Sequence, residues 1–346
     1  MHLIIGFALL SLASSLPLET TQIQNISNFN YTAYQELLKT NEILRYYDDL
    51  AHDCSYLFIV SGGSTAANTG DNLTYTPTDN VLMWNYTLPG WQPATTQLAN
   101  CDGNGYSYWA LVGANVSNAT KSRVCLIGAA RQDSCINEWH PITGKYNYLL
   151  KNAMMIGQKY AEPQFLWSQG ECDSRNPSSN YMVYLTDVVY SFPNNTWFIS
   201  ETSYTPETTY NNEEVIRQGQ SHVVHQLHNA YAGPNTDALC IDYRYTDNTF
   251  NKYGQLKLKS AWVDAYNQMS DAFTLGDYHC SYKIIRFWDM VLSFFLIVGF
   301  AMMFAAFSVG IYFMIRGPNR IYKNTVHYYV VPNYGSEKQS LLTNRT

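Results

Sequence analysis

Apolar runs and amphipathic stretches alternate along this 346-residue chain. Tyr31 to His52 places Leu37, Leu38, Leu44 and Tyr47 at helical spacing and predicts one amphipathic helix. Tyr56-Leu57-Phe58-Ile59-Val60-Ser61 is a short apolar run that breaks into Gly62-Gly63-Ser64-Thr65-Ala66-Ala67-Asn68. This is the pattern of a buried parallel strand followed by a tight turn at its carboxyl end. Further strands are predicted at Asn80 to Trp84, Val124 to Ala130, Phe165 to Ser168, Thr196 to Ser200 and Ala238 to about residue 242. Helices are predicted over Tyr146 to Tyr160, around Tyr181, Leu185 and Val188, over Glu213 to Tyr231, and over Gln255 to Phe273. Gly90-Trp91-Gln92-Pro93, Cys101 to Gly105 and Gly233-Pro234-Asn235 read as loops or turns. Strands alternating with helices predict an α/β domain, a mostly parallel sheet covered on both faces. Ser64 then stands at the carboxyl edge of that sheet, where open α/β folds bind ligands.

One apolar segment is of another kind. Met290 to Ile315 is 26 residues without a charge. At ~1.5 Å per residue it is long enough to cross a ~30 Å hydrocarbon core. Arg316, Arg320 and Lys323 follow it, which predicts a cytoplasmic carboxyl side. Residues 1–15 resemble a signal peptide, with His2 in place of the usual basic flank. The expected organisation is a signal peptide at 1–15, a helical segment at 16–53, the α/β domain at 54–275 and a stalk at 276–289. A transmembrane helix at 290–315 and a tail at 316–346 complete it.

Composition agrees with a secretory route and an external domain. Seven Asn-x-Ser/Thr sequons precede the apolar segment, at Asn25, Asn30, Asn72, Asn85, Asn115, Asn118 and Asn194. All seven cysteines, at 54, 101, 125, 135, 172, 240 and 280, precede it as well, where disulfides persist. Seven is odd, so one thiol is free or pairs between chains. No C-x-x-C pair occurs, and neither a metal site nor a cofactor is expected. A net charge of −6 argues against a nucleic-acid partner.

Three blocks carry chemistry, and together they resemble one family. Gly62-Gly63-Ser64-Thr65-Ala66-Ala67-Asn68 resembles the G-Q-S-N block of the sialic-acid-specific acetylesterases, a branch of the SGNH hydrolases. Val81-Leu82-Met83-Trp84-Asn85 with Gly90-Trp91-Gln92-Pro93 is similar to the segment that follows. Trp167-Ser168-Gln169-Gly170-Glu171-Cys172-Asp173 resembles the W-x-Q-G-E-x-D block, and Asn137-Glu138-Trp139 and Ile216-Arg217-Gln218-Gly219-Gln220 agree more weakly. The resemblance covers about residues 54 to 272. It implies a three-layer α/β/α, flavodoxin-like fold and hydrolysis of acetyl esters on sugars, with O-acetylated sialic acid the implied glycan.

On that resemblance Ser64 is the nucleophile, Gln169 and Glu171 are oxyanion or orienting groups, and Gly63, Thr65, Trp139 and Trp167 line the binding site. A serine hydroxyl needs a base for its proton and donors for the oxyanion. The family's D-x-x-H block is the point of departure. In Tyr245 to Gly254, one alignment puts Thr246 and Thr249 at its two positions, and a one-residue shift puts Asp247 and Phe250 there. Neither supplies a histidine. His222, His225 and His228, three residues apart on one helix, and His140 are the remote substitutes, although a solvated helix face explains the first three as well. Trp and Tyr suit sugar stacking, yet Trp84, Trp91, Trp139 and Trp167 suit core packing equally.

The chain thus reads as a membrane-anchored carbohydrate O-acetylesterase, or as a glycan-binding pseudoesterase serving surface attachment. Its general plan is similar to that of viral haemagglutinin-esterases, without their G-D-S block, so its place is a cell-surface or viral envelope membrane. In the tail, Glu337, Leu341 and Leu342 resemble an acidic dileucine signal for clathrin adaptors, and Tyr328-Tyr329-Val330-Val331 a tyrosine-based one.

Overall fold

The computed structural model describes residues 30–176, 180–205, 210–245, 248–276 and 282–324. The chain divides into two units, Met1–Tyr282 and Lys283–Thr346. Residues 1–15, Asn25, Thr246, Asp247, Cys280, the Tyr328 to Val331 segment, Glu337, Leu341 and Leu342 lie outside the described residues.

The first predicted helix is two. Helix α1 (Tyr31–Thr40) ends where Asn41 leaves helical geometry, and Asn41 then caps α2 (Glu42–His52) by accepting from the Ile43 and Leu44 amides. An Asn side chain that satisfies free amide groups favours a helix start over a helix interior.

Seven strands form one sheet in the order β3-β2-β4-β1-β5-β6-β7. They are β1 (Cys54–Gly62), β2 (Val81–Asn85), β3 (Gly90–Pro93), β4 (Arg123–Gly128), β5 (Pro163–Ser168), β6 (Trp197–Glu201) and β7 (Ala230–Asn235). All pairings are parallel except β2 with β3. Strand β3 corrects the expected loop at Gly90 to Pro93. Four residues of an edge hairpin, with Gly at one end and Pro at the other, carry turn signals on both sides of a strand.

The last strand also differs from expectation. The helix expected to reach Tyr231 stops at Gln226, and Ala230–Asn235 pairs with β6. Pro234, read as part of a turn, is tolerated because its bridge to Thr274 uses the Gly233 carbonyl and the Asn235 amide, not a donor at residue 234 itself. The stretch expected as a strand from Ala238 holds two 3₁₀ turns instead, Thr236–Ala238 and Ile241–Tyr243.

Helices cover both faces. Leu57 and Ile59 of β1 face a cluster built with α4 (Asn147–Gly157), α6 (Tyr181–Tyr190) and α7 (Tyr210–Gln226). Phe58 and Val60 face the opposite cluster, with Val112 and Val116 of α3 (Trp109–Thr120) and Leu258 and Trp262 of α8 (Lys252–Gln268). The two-residue alternation of a strand thus feeds two cores at once, as the three-layer reading requires. Helix α3 has no counterpart in the sequence pattern. Its Gly113 and its sequon asparagines are poor helix formers, and packing on Val81 and Val124 supplies what propensity does not.

The Trp residues are internal. Trp84, Trp91, Trp139 and Trp167 are all at most 1% exposed. Trp139 and Trp167, expected at the binding site, are therefore corrected to core residues. They meet edge to face at 5.4 Å, an arrangement worth about 0.5–1.5 kcal/mol beyond burial.

Two disulfides are defined at both ends. Cys54–Cys125 joins β1 to β4, and Cys135–Cys172 joins the segment after β4 to the segment after β5. Cys240 is also disulfide-bonded, and Cys101 is free and buried.

In the second unit, α9 (Tyr282–Asn324) contains Val291–Tyr312, 22 residues of mean hydropathy 2.4. That segment is long and apolar enough to cross a membrane.

Two outcomes are expected from this packing. Burial pushes the Cys101 thiol up to about 12, so iodoacetamide at pH 8 should spare it in the folded protein. Unfolding without reductant should then expose one reactive thiol per chain. Rapid labelling of the folded protein would contradict the assignment. Gly62 has φ +120, and a Cβ there would collide with the Ser168 carbonyl. Gly62→Ala should lower the unfolding free energy by at least about 1–3 kcal/mol from backbone strain alone, and the denaturant midpoint with it. An unchanged midpoint would mean that this close approach does not exist.

Candidate active site

The strand order changes direction around β1. The chain goes from β1 to β2, β3 and β4 on one side, then to β5, β6 and β7 on the other. The connection leaving β1 runs to one side of the sheet and that leaving β5 to the other, which opens a crevice at the carboxyl edge. Strand β1 ends against β5, with Gly62 opposite Ser168 in register. The Gly63 amide donates to the Ser168 carbonyl at 2.8 Å, and Ser64 begins the 3₁₀ turn Ser64–Ala66.

Ser64 is half-buried, and its Oγ accepts from the Asp133 backbone amide at 3.0 Å. Asp133 lies in the loop after β4 and has φ +53, in the left-handed region. That conformation aims its amide at the serine. Sequence reasoning passed over Asp133, and no short motif marked it. An amide 3.0 Å from a serine oxygen stands where a donor to a developing oxyanion would act.

Thr65 donates its hydroxyl to Glu171 Oε1. Glu171 is 6% exposed. Burial raises its carboxyl above the ordinary range, while the Thr65 hydroxyl and Arg244 oppose the rise. Gly63 lies against Oε2 of the same carboxylate, and a Cβ at Gly63 would stand 3.2 Å from it. Tyr108 and Trp109 hold the far side of the turn, donating to the Thr65 and Ala66 carbonyls at 3.2 and 2.8 Å. The turn is therefore fixed from both sheet faces. Ser64, Gly63, Thr65 and Glu171 come together as one constellation.

Gln169 sits on the same edge but is wholly buried. Its amide nitrogen donates to the Ser134 carbonyl at 3.0 Å and to Asp173 Oδ2, so it braces the loop that carries Asp133. Asp173 also accepts from the Ile136 amide at 2.9 Å, and burial raises its carboxyl to about 6.

No described imidazole lies within hydrogen-bonding distance of Ser64 Oγ. His140 pairs with Asp187 at 3.4 Å and accepts from Thr143. His222, His225 and His228 are exposed on or just after α7, and His225 contacts Ser221 and Asp271. Where a base would be sought, Phe250 is buried beneath the Arg244 guanidinium, 3.8 Å from its ring centre. Arg244 also donates to the carbonyls of Leu239, Thr236 and Asn248. It ties Thr236 and Leu239 to Asn248 as a structural cation. Among the described residues no group of three or more His, Cys, Asp or Glu is arranged to hold a metal ion.

Comparisons with known proteins agree with this geometry. The family model described as carbohydrate esterase, sialic acid-specific acetylesterase matches residues 55–196. No curated protein sequence matches the chain. A solved structure of a protein from Arabidopsis thaliana is similar at a TM-score of 0.51 and 16% identity, covering 62% of this chain and 98% of its own. A carbohydrate acetylesterase from Xanthomonas citri is similar at a TM-score of 0.43 and 12% identity, covering 62% of this chain and 56% of its own. Residues 55–196 thus resemble the carbohydrate esterase family model, and they lie on a seven-stranded, mostly parallel α/β sheet with Ser64 at its carboxyl edge.

Proposed function

We propose that this chain is a membrane-anchored receptor for O-acetylated glycans, built on an esterase scaffold whose catalytic power is largely lost. The observation that carries the reading is the surroundings of Ser64 Oγ. It receives the Asp133 amide, and no described imidazole reaches it. A serine hydroxyl attacks an ester only as its proton leaves to a base, and the carbonyl oxygen then needs donors. The Asp133 amide offers such a donor. The Glu171 carboxylate is engaged by Thr65, and Arg244 holds the 236–250 loop. The pocket keeps the parts that bind an acetyl ester and, among the described residues, has no imidazole to relay the proton.

The remaining parts of the proposal concern place. Val291–Tyr312 spans the bilayer once, with the sugar-binding unit outside. Asn30, Asn72, Asn118 and Asn194 are exposed sequon asparagines and carry glycans. The tail binds clathrin adaptors through Glu337, Leu341 and Leu342. Together these describe an attachment glycoprotein of a cell-surface or viral membrane.

Acetate release from O-acetylated glycans, with binding measured alongside, separates a receptor from an enzyme. The full chain should accelerate release by no more than about 10³–10⁴-fold over water. Ser64→Ala should lower that little and leave binding within a few-fold. Rapid release abolished by Ser64→Ala would establish an active esterase with its base supplied from elsewhere. The anchoring is checked on expressed protein. Alkaline carbonate should leave the chain in the membrane fraction, and an N-glycosidase should increase its gel mobility. Extraction into the soluble fraction, or unchanged mobility, would refute the corresponding part.

A further inference from the structure

Three of the described guanidinium groups belong to segments around Ser64, and they differ in exposure. Arg131 is 2% exposed, donates to the Asn100 and Ala130 carbonyls, and lies 3.5 Å from Asp102. Arg244 is buried and committed to backbone carbonyls. Arg175 is different. Its side chain is 34% exposed, and its contact among the described residues is an ion pair, Nη2 to Asp133 Oδ1 at 2.7 Å. A guanidinium has five N–H donors in a planar fork suited to carboxylates. Most of that fork remains open.

The position of the pair matters more than its strength. Asp133 is the residue whose amide touches Ser64 Oγ. Arg175 closes α5 (Glu171–Arg175), the short helix that begins with Glu171. The two segments are locked together by Cys135–Cys172, by Ile136 N–H to Asp173 and by Gln169 to Ser134. The guanidinium is thereby held at the rim beside the nucleophile. An exposed ion pair contributes little to stability, so folding alone does not account for it. Glu171 lies against Gly63 and Thr65 beside the serine, and the chain as a whole carries −6. An anionic ligand therefore needs a cation at this place.

We propose that Arg175 binds a carboxylate of the sugar held at Ser64, and that Asp133 is its internal competitor, occupying the fork until the ligand arrives. This rests on the reading of the pocket as a sugar-ester site. The neutral acetyl group would lie at Ser64 and the acidic group at the rim.

The two members of the pair should then act in opposite directions. The test is calorimetric titration of the full chain in detergent with an O-acetylated sugar bearing a free carboxylate, and with the methyl ester of that carboxylate. The wild type should prefer the free acid. Arg175→Gln should weaken the acid by about tenfold or more, the scale of a charge-assisted hydrogen bond, and leave the ester unchanged. Asp133→Asn should tighten the acid, because the fork is freed. Arg175→Lys should restore part of the preference. Equal wild-type binding of acid and ester would overturn the inference while leaving the sugar-ester reading intact. Parallel weakening of both ligands by Arg175→Gln and Asp133→Asn would overturn it too, since that is the mark of a purely structural pair. Failure of the wild type to bind either ligand would defeat the site reading, and this inference with it.

Discussion

The close approach of β1 and β5 at the carboxyl edge governs the rest of the structure. At Gly62 the Ser168 carbonyl occupies the space where any other residue would place its Cβ. The next amide, that of Gly63, bonds the same carbonyl. This brings Ser64 on one strand and Gln169-Gly170-Glu171 on the other into a single edge. The disulfide Cys135–Cys172 and the Gln169 side chain then pull in the loop after β4, whose Asp133 amide meets the serine. A serine at the mouth of the sheet follows from one contact that only glycine permits.

The interior behind this edge is a layered hydrophobic core with a polar lid. Trp139 and Trp167 pack beneath the crevice, and Phe165 stacks on Trp197 at 4.0 Å. Above them lies a dense hydrogen-bond network of Ser168, Ser200, Thr202, Gln220 and Asp237. Buried polar groups of this kind are costly unless paired, and here most are paired. The site therefore rests on a rigid base, and its chemistry is decided by the few groups at the rim.

Much of this was legible in the sequence, for physical reasons. The central strands are nearly continuous apolar runs because both faces are covered, and such runs are easily read. The Gly-Gly-Ser turn and the Gln169 to Asp173 block were legible because backbone close approach and buried hydrogen bonding restrict the residues allowed. Elements at the margins were not. Strand β7 hides behind Pro234, and α3 depends on packing more than on propensity. Asn41 splits a periodic stretch that still reads as one helix. Aromatic faces gave no direction, since Trp serves a core and a sugar equally, and burial alone separates the two uses. Asp133 was invisible because its contribution is a backbone amide in a left-handed conformation, which no side-chain pattern reports.

Ester hydrolysis at Ser64 would turn on the fate of one proton. Ser64 Oγ accepts from the Asp133 amide, no described imidazole reaches it, and Arg244 packs on Phe250 in the neighbouring loop. The reactivity of Ser64 itself tests this most directly. A fluorophosphonate labels a serine that a base activates and spares one that lacks it. The full chain, incubated with the reagent and mapped by mass spectrometry, should show Ser64 unmodified after a time that fully labels an ordinary serine hydrolase. Stoichiometric modification at Ser64 would contradict the loss of the relay and restore the domain to the working esterases.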